Sequence, residues 1–308
     1  MSKKYLLTWI AAACCSFSAY ATELTFTAIG DQPYFSDDAF STLIKKINAD
    51  TSSQFTIHVG DIKSGANTCS DERFLSVKKL LDEFDEPLIY TPGDNEWTDC
   101  HRASNGSYNQ LERLQKLRTL FFADAASLGQ RKMKLERESD LLRSYSSYVE
   151  NARWTTNEVT FITINQVGSN NNLDPDVPGA IEEYKHRNAA NMAWLKDGFK
   201  LAKAKRSLAL VIAMQSDISD PRIPQNSGFK DFINTVALLA TSYKKPVLLI
   251  QGDSHQFKVD QPIQNKDGST VPNILRMIVP GASLVQAVQV KIDTSQLAII
   301  DVFSFKKY

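Results

Sequence analysis

The stretch "ELTFTAIGDQPY", residues 23–34, sets an apolar run against an abrupt stop at Gly30-Asp31. Short runs rich in β-branched and aromatic residues, bounded by turn formers, read as buried strands. The arrangement returns in "FTIHVGD" at 55–61, "PLIYTPGD" at 87–94 and "PVLLIQGD" at 246–253. With 13 Gly and 23 Asp in 308 residues, random order gives about one Gly-Asp pair. The chain has four, Gly30-Asp31, Gly60-Asp61, Gly93-Asp94 and Gly252-Asp253, each behind a strand candidate.

Two further apolar runs, "VTFITIN" at 159–165 and "LALVIAM" at 208–214, have the same character. Between the runs, residues 40–49, 72–84, 109–122, 188–203 and 229–243 carry apolar positions at helical spacing. Alternation of strand and helix predicts an α/β domain with a largely parallel sheet. After Asn273 come "ILRMIV", "VQAVQV" and "LAIIDVF" without intervening helices. These are expected to pair antiparallel and close a second sheet. Residues 125–157 are poorly patterned and are expected to form an insertion over one edge, with the run "RKMKLERES" a solvated face. No repeat, low-complexity tract or long linker divides 22–308, so one domain is expected.

The first 21 residues stand apart. Lys3 and Lys4 precede an apolar stretch from Tyr5 to Phe17, and Ala19 and Ala21 supply small residues at a cleavage position. This is the layout of a secretory signal peptide, too short for a membrane anchor, and it predicts an exported, periplasmic or secreted protein. Without it the chain holds 33 basic and 35 acidic side chains, a net charge of about −2. Such a chain has no bulk field to gather nucleic acid or an anionic membrane, so any attraction for phosphate is local. Loss of the leader also removes Cys14 and Cys15. Cys69 and Cys100 remain, in loops just past two of the Gly-Asp pairs, and in an oxidising compartment they are expected to form a disulfide.

In parallel α/β sheets the carboxyl ends of the strands face one crevice, where ligands bind. Four carboxylates gathered there repel one another unless a cation sits among them. A divalent metal resolves this, and His255, two residues past Asp253, adds an imidazole donor. The competing reading is that each Asp caps a helix or shapes a turn.

At this point the chain resembles the calcineurin-like metallophosphoesterase superfamily. Its blocks, Asp-x-His, Gly-Asp, Gly-Asn-His-Asp/Glu, a lone His and Gly-His-x-His, find counterparts here in order. They are "GDQP" at 30–33, "GD" at 60–61, "GDNE" at 93–96, "MQSD" at 214–217 and "GDSH" at 252–255. The resemblance spans roughly residues 23–260 and implies a sandwich of two β-sheets flanked by helices, with a two-metal site at the strand ends. It places Asp31, Asp61, Asp94, Gln215, Asp253 and His255 at ligand positions, with Asp61 the bridging carboxylate.

Five positions depart from the pattern. Pro33, Gln215 and Asp253 stand where the family has ligand His, and Asp94 where it has ligand Asn. Asn95 replaces the histidine that acts on the transferring phosphoryl group. Exchange of nitrogen for hard oxygen moves preference from Zn or Fe toward Mn²⁺, Mg²⁺ or Ca²⁺. One ion is expected to be held firmly and a second weakly, with Tyr34 filling space left by the missing histidine. Asn95 can hydrogen-bond a phosphoryl oxygen but cannot donate a proton near neutral pH. His101 is therefore the candidate replacement acid and Arg102 the candidate phosphate grip, both held near the site by the Cys69–Cys100 bridge. Amide side chains of "NQVGSNNN", 165–172, are a further candidate lining, against their reading as a polar turn. The expected activity is metal-dependent hydrolysis of a small phosphorylated substrate. A non-catalytic metal- or phosphate-binding protein on the same fold is the alternative, favoured by Pro33 and Asn95.

Overall fold

The computed structural model describes residues 23–220, 227–296 and 298–308. The leader expected over 1–21, with Cys14 and Cys15, lies outside the described residues. The strands are β1 (Glu23–Ile29), β2 (Thr56–His58), β3 (Leu88–Tyr90), β4 (Glu136–Arg137), β5 (Ala152–Thr156) and β6 (Val159–Thr163). They continue with β7 (Ala209–Ala213), β8 (Val247–Gln251), β9 (Lys258–Asp260), β10 (Ile274–Ile278), β11 (Val288–Asp293) and β12 (Phe303–Lys307). One sheet runs β12-β11-β1-β2-β3 and the other β4-β5-β6-β7-β8-β10-β9. β1, β2 and β3 are parallel, as are β6, β7, β8 and β10.

Strand side chains alternate between two cores, as a period of two requires. In β7, Ala209, Val211 and Ala213 face the other sheet, while Leu210 and Ile212 face the helices. β8 divides the same way, with Leu248 and Ile250 inward and Val247 and Leu249 outward. The helices Asp37–Ala49, Asp71–Leu81 and Gln110–Phe121 cover the outer face of β1, β2 and β3. Ala180–Ala204 and Lys230–Tyr243 cover the second sheet. Ser36, Ser70 and Asn109 cap the first three, their side chains accepting backbone N–H groups that a helix start leaves unpaired. The result is an α/β sandwich of two mixed sheets flanked by helices, as expected.

The chain's tail differs from its predicted arrangement. "ILRMIV" does supply a strand, but β10 pairs parallel with β8 inside the larger sheet. A continuously buried run suits an interior parallel strand better than an antiparallel one. β11 begins at Val288 and joins β1 antiparallel, and β12 is Phe303–Lys307 because Ile299–Val302 forms a 3-10 turn. The region 125–157 does lie at a sheet edge, as β4 and β5. Its charged run is not all solvated. Glu138 is fully buried, accepts a hydrogen bond from Asn151 Nδ2 at 2.7 Å, and is pushed up to about 8 by burial.

Helix Ala180–Ala204 starts eight residues before the predicted start at Asn188. Its first two turns bury Arg187, not an apolar stripe, so hydrophobic periodicity was silent there.

Phe161 sits at the middle of the inter-sheet core, stacked on Trp154 at 4.9 Å and edge-on to Phe26 and Phe55. Phe161→Ala is therefore expected to destabilise the fold by about 3–5 kcal/mol in urea denaturation. A loss under about 1 kcal/mol would show that the two sheets do not depend on this contact.

Candidate metal centre

Parallel pairing puts the carboxyl ends of β1, β2 and β3, and so Asp31, Asp61 and Asp94, on one side of the first sheet. β8 brings Asp253 from the second sheet to meet them, its N–H donating to Asp31 Oδ1 at 2.9 Å. The unusual backbone of the turns falls chiefly on the aspartates. Asp31, Asp61 and Asp253 themselves hold φ of 54°, 58° and 68°, a left-handed conformation that Asp tolerates better than most residues. Of the four paired glycines only Gly60, at φ 95°, shares it. Gly93 and Gly252 serve close approach instead. A Cβ on Gly93 would lie 2.1 Å from Asp61 Oδ1, and one on Gly252 would lie 2.6 Å from Asp31 Oδ2.

Two donor groups result, Asp31 with Asp61 and His255, and Asp61 with Asp94 and Asp253. Within each, the donor atoms lie within 4.8 Å of one another. Asp61 belongs to both. Its Oδ2 accepts from the Tyr34 hydroxyl at 2.6 Å and Asn95 Nδ2 at 2.7 Å, and its Oδ1 from the Asn95 N–H at 3.2 Å. Tyr34 also packs edge-on to the His255 ring, 5.4 Å between centroids. Burial, then the charge of Asp253, pushes the Asp31 carboxyl well above the usual range. Asp61 is raised by burial first, then by Asp94, Glu96 and Asp31.

Gln215 is fully buried behind Asp94. Its Nε2 donates to Asp94 Oδ1 at 3.0 Å while its carbonyl oxygen accepts the Gly168 N–H. The structure thus brings five of the six expected ligands together and sets Gln215 to orient one of them. Cys69 and Cys100 form a disulfide, joining the loops after β2 and β3. Beside the carboxylates opens a cleft of about 500 Å³ whose lining includes Asp94, Asp99, Arg102, Ser169 and Asp253. His101 does not line it. That ring borders a separate cleft with Tyr108 and Pro178, its Nδ1 bonded to Thr98 O at 2.7 Å. Asn95 spends its amide on Asp61 and Tyr34.

Sequence reasoning missed three buried residues. Glu96 Oε1 gathers the N–H groups of Asp61 and Gly93 and the Tyr90 hydroxyl at 3.0, 2.6 and 2.8 Å. Lys63 is buried among Glu96, Asp61, Asp99 and Asp94; burial lowers its ammonium and those carboxylates oppose the shift. His58 accepts the Gly60 N–H at Nδ1 and donates from Nε2 to Gln32 O, and burial pushes it down to about 4. All three lie within three residues of a Gly-Asp pair, and Glu96 also closes the "GDNE" block. The "NQVGSNNN" stretch is a turn and also reaches the cleft. Ser169 to Asn172 are all left-handed, with φ from 46° to 60°. Arg187 holds that turn, donating to Asn165 O at 3.0 Å and Asn171 O at 2.9 Å.

The residues fit a divalent cation. Asp31 Oδ2 is buried with no hydrogen-bond partner among the described residues, and the surrounding donors are chiefly carboxylate oxygens. Hard cations take such sets.

No family model matches the chain, and no curated protein matches it. Among solved structures, the chain is similar to GAP50, the anchor in the inner membrane complex of Plasmodium. The two are 14% identical over 93% of this chain and 88% of that one, with a TM-score of 0.53. The protein TT1561 of Thermus thermophilus is 12% identical over 92% and 99%, with a TM-score of 0.48. The likeness to GAP50 is one of fold.

Raised carboxyls keep protons in the folded chain that the unfolded chain has lost, so their contribution to stability falls as pH rises above the ordinary carboxylate range. His58 opposes this only below about 6.5, where the unfolded chain protonates first and stability is lost toward pH 4. The melting temperature of chelator-treated protein is therefore expected to fall from about pH 6.5 toward more alkaline pH. Mn²⁺ should raise it more at the upper end than at the lower. An equal shift at both, or none, in thermal denaturation would count against Asp31 and Asp61 as cation holders.

Proposed function

We propose that the chain is a metal-dependent phosphoesterase acting on a small phosphorylated substrate. Asp31, Asp61 and His255, and Asp61, Asp94 and Asp253, would hold one or two divalent cations, Mn²⁺ or Mg²⁺ in preference to Zn or Fe. The observation that carries this reading is Asp61, shared between two donor groups at the ends of parallel strands on a metallophosphoesterase-like fold.

A bound divalent cation supplies Lewis acidity toward a phosphoryl oxygen and acidifies a water. Asp61 is kept in place by Tyr34 and Asn95, and Asp94 by Gln215 and Ser169. Arg102, half exposed in the cleft, offers guanidinium N–H groups to an anionic ester. The disulfide supports the exported location proposed from the leader, since such bridges persist in oxidising compartments.

One observation favours the non-catalytic alternative. Asn95 is turned onto Asp61 and His101 borders another cleft, so neither brings a proton to a leaving group at the carboxylates. Turnover then depends on substrates whose leaving groups depart without one, such as aryl phosphates.

Full-length mature protein reloaded with Mn²⁺ is expected to cleave p-nitrophenyl phosphate or bis(p-nitrophenyl) phosphate, and Asp61→Ala to abolish the activity. Wild-type protein that binds Mn²⁺, Mg²⁺, Ca²⁺ or Zn²⁺ tightly yet turns over neither ester would overturn the hydrolase and leave the binding protein.

A further inference from the structure

We infer that Ser169 and Arg102 together form the phosphoryl-binding grip of the cleft, with Asp99 the residue that positions both. The nature of the ligand rests on the phosphoesterase reading. The grip itself rests on geometry.

Asp99 is 3% exposed and uses its two oxygens separately. Oδ1 lies 2.8 Å from Ser169 Oγ, whose one proton it shares with Asp94 Oδ2, and Oδ2 pairs with Arg102 Nη1 at 2.6 Å. Arg102 Nη2 in turn donates to Ser169 Oγ at 3.2 Å, closing a triangle. The two gripping residues come from different sheets, Arg102 from the loop after β3 and Ser169 from the turn after β6. Both line the cleft beside Asp94, whose Oδ2 lies 2.8 Å from Ser169 Oγ. Arg102 is the one cationic side chain among the described residues of that lining.

An Arg side chain has five N–H donors. Two are engaged here, on Asp99 and Ser169, and 47% of the side chain remains exposed. The spare donors suit an anion with several oxygens, and Arg recognises phosphoryl groups in forked fashion. The adjacent hydroxyl can serve the same group only by turning its one proton away from Asp99 and Asp94. Neither Ser169 nor Asp99 carries a signal of this in the sequence, since Ser169 lies in a polar turn and Asp99 beside the more conspicuous His101.

The test is calorimetric titration of inorganic phosphate into Mn²⁺-loaded full chain, with acetate as a planar monoanion for comparison. Wild type is expected to bind phosphate and not acetate. Arg102→Ala, Ser169→Ala and Asp99→Asn should each weaken phosphate binding roughly 10- to 100-fold. In the Arg102→Ala background, Asp99→Asn should add less than about threefold, because its effect runs through Arg102. Mn²⁺ affinity of Arg102→Ala should stay within about threefold of wild type, a readout that general unfolding would move. Wild-type phosphate affinity in both Arg102→Ala and Ser169→Ala overturns the grip, as does a loss that tracks Mn²⁺ affinity. Weakened phosphate binding in the variants without turnover by wild type keeps the grip and sinks the hydrolase. Turnover by wild type with unaltered phosphate binding in the variants does the reverse.

Discussion

The constraint on which the rest depends is the burial of Asp31 and Asp61 at the ends of adjacent parallel strands. An ionised carboxylate removed from water without a partner is strongly unfavourable, and two near each other are worse. The fold does not relieve this with local cations. Lys63 is buried in the cluster, but it answers four acids. What the fold does instead is fix the geometry so firmly that the carboxylates cannot move apart. Glu96 ties the loops after β2 and β3 together, and glycine at 93 and 252 lets one strand end press directly on the carboxylate of another. Carboxylates held in this way would be relieved by a divalent cation.

The same rigidity crosses between the sheets through Arg187. Four successive left-handed residues are an unstable arrangement, at on the order of 1–2 kcal/mol each for side chains other than glycine. Arg187 offsets this by bonding the turn's carbonyls while Glu183 satisfies its remaining donors. Its guanidinium also lies over the Trp97 ring at 5.1 Å. Trp97 belongs to the loop that carries Asp94 and Asp99, so one buried cation links the turn after β6 to the loop after β3. Ser169 can reach Asp94 and Asp99 because both ends of that contact are anchored.

The legible part of the site was the part encoded locally. A Gly-Asp pair after an apolar run names both a strand end and a carboxylate, and the parallel topology then gathers all four pairs. The residues that escaped were those whose role depends on distant contacts. A buried Lys63 or Glu96 reads like any surface charge, since only packing decides that water is absent. The tail was legible for β11 and β12, which do pair antiparallel, but not for "ILRMIV", because apolar periodicity marks a strand and says nothing of whether its partner is β8 or a neighbour in the chain. His101 failed on helix geometry. It lies in a 3-10 turn, where residues three apart eclipse. Asp99 and Arg102 therefore share a face toward the carboxylates, and the intervening His101 faces away.

Asp61 also bears on how many cations the centre accepts. A carboxylate has about four lone-pair positions. Tyr34, the Asn95 amide and the Asn95 N–H occupy three of them. One position remains, enough for Asp61 to contribute to one ion but not to bridge two. Of the two donor groups, Asp61 with Asp94 and Asp253 is all oxygen and opens on the cleft. The other includes His255 and sits against Tyr34. A first ion would therefore be held by Asp61 with Asp94 and Asp253, and a second would need the Tyr34 hydroxyl or the Asn95 amide to release Asp61.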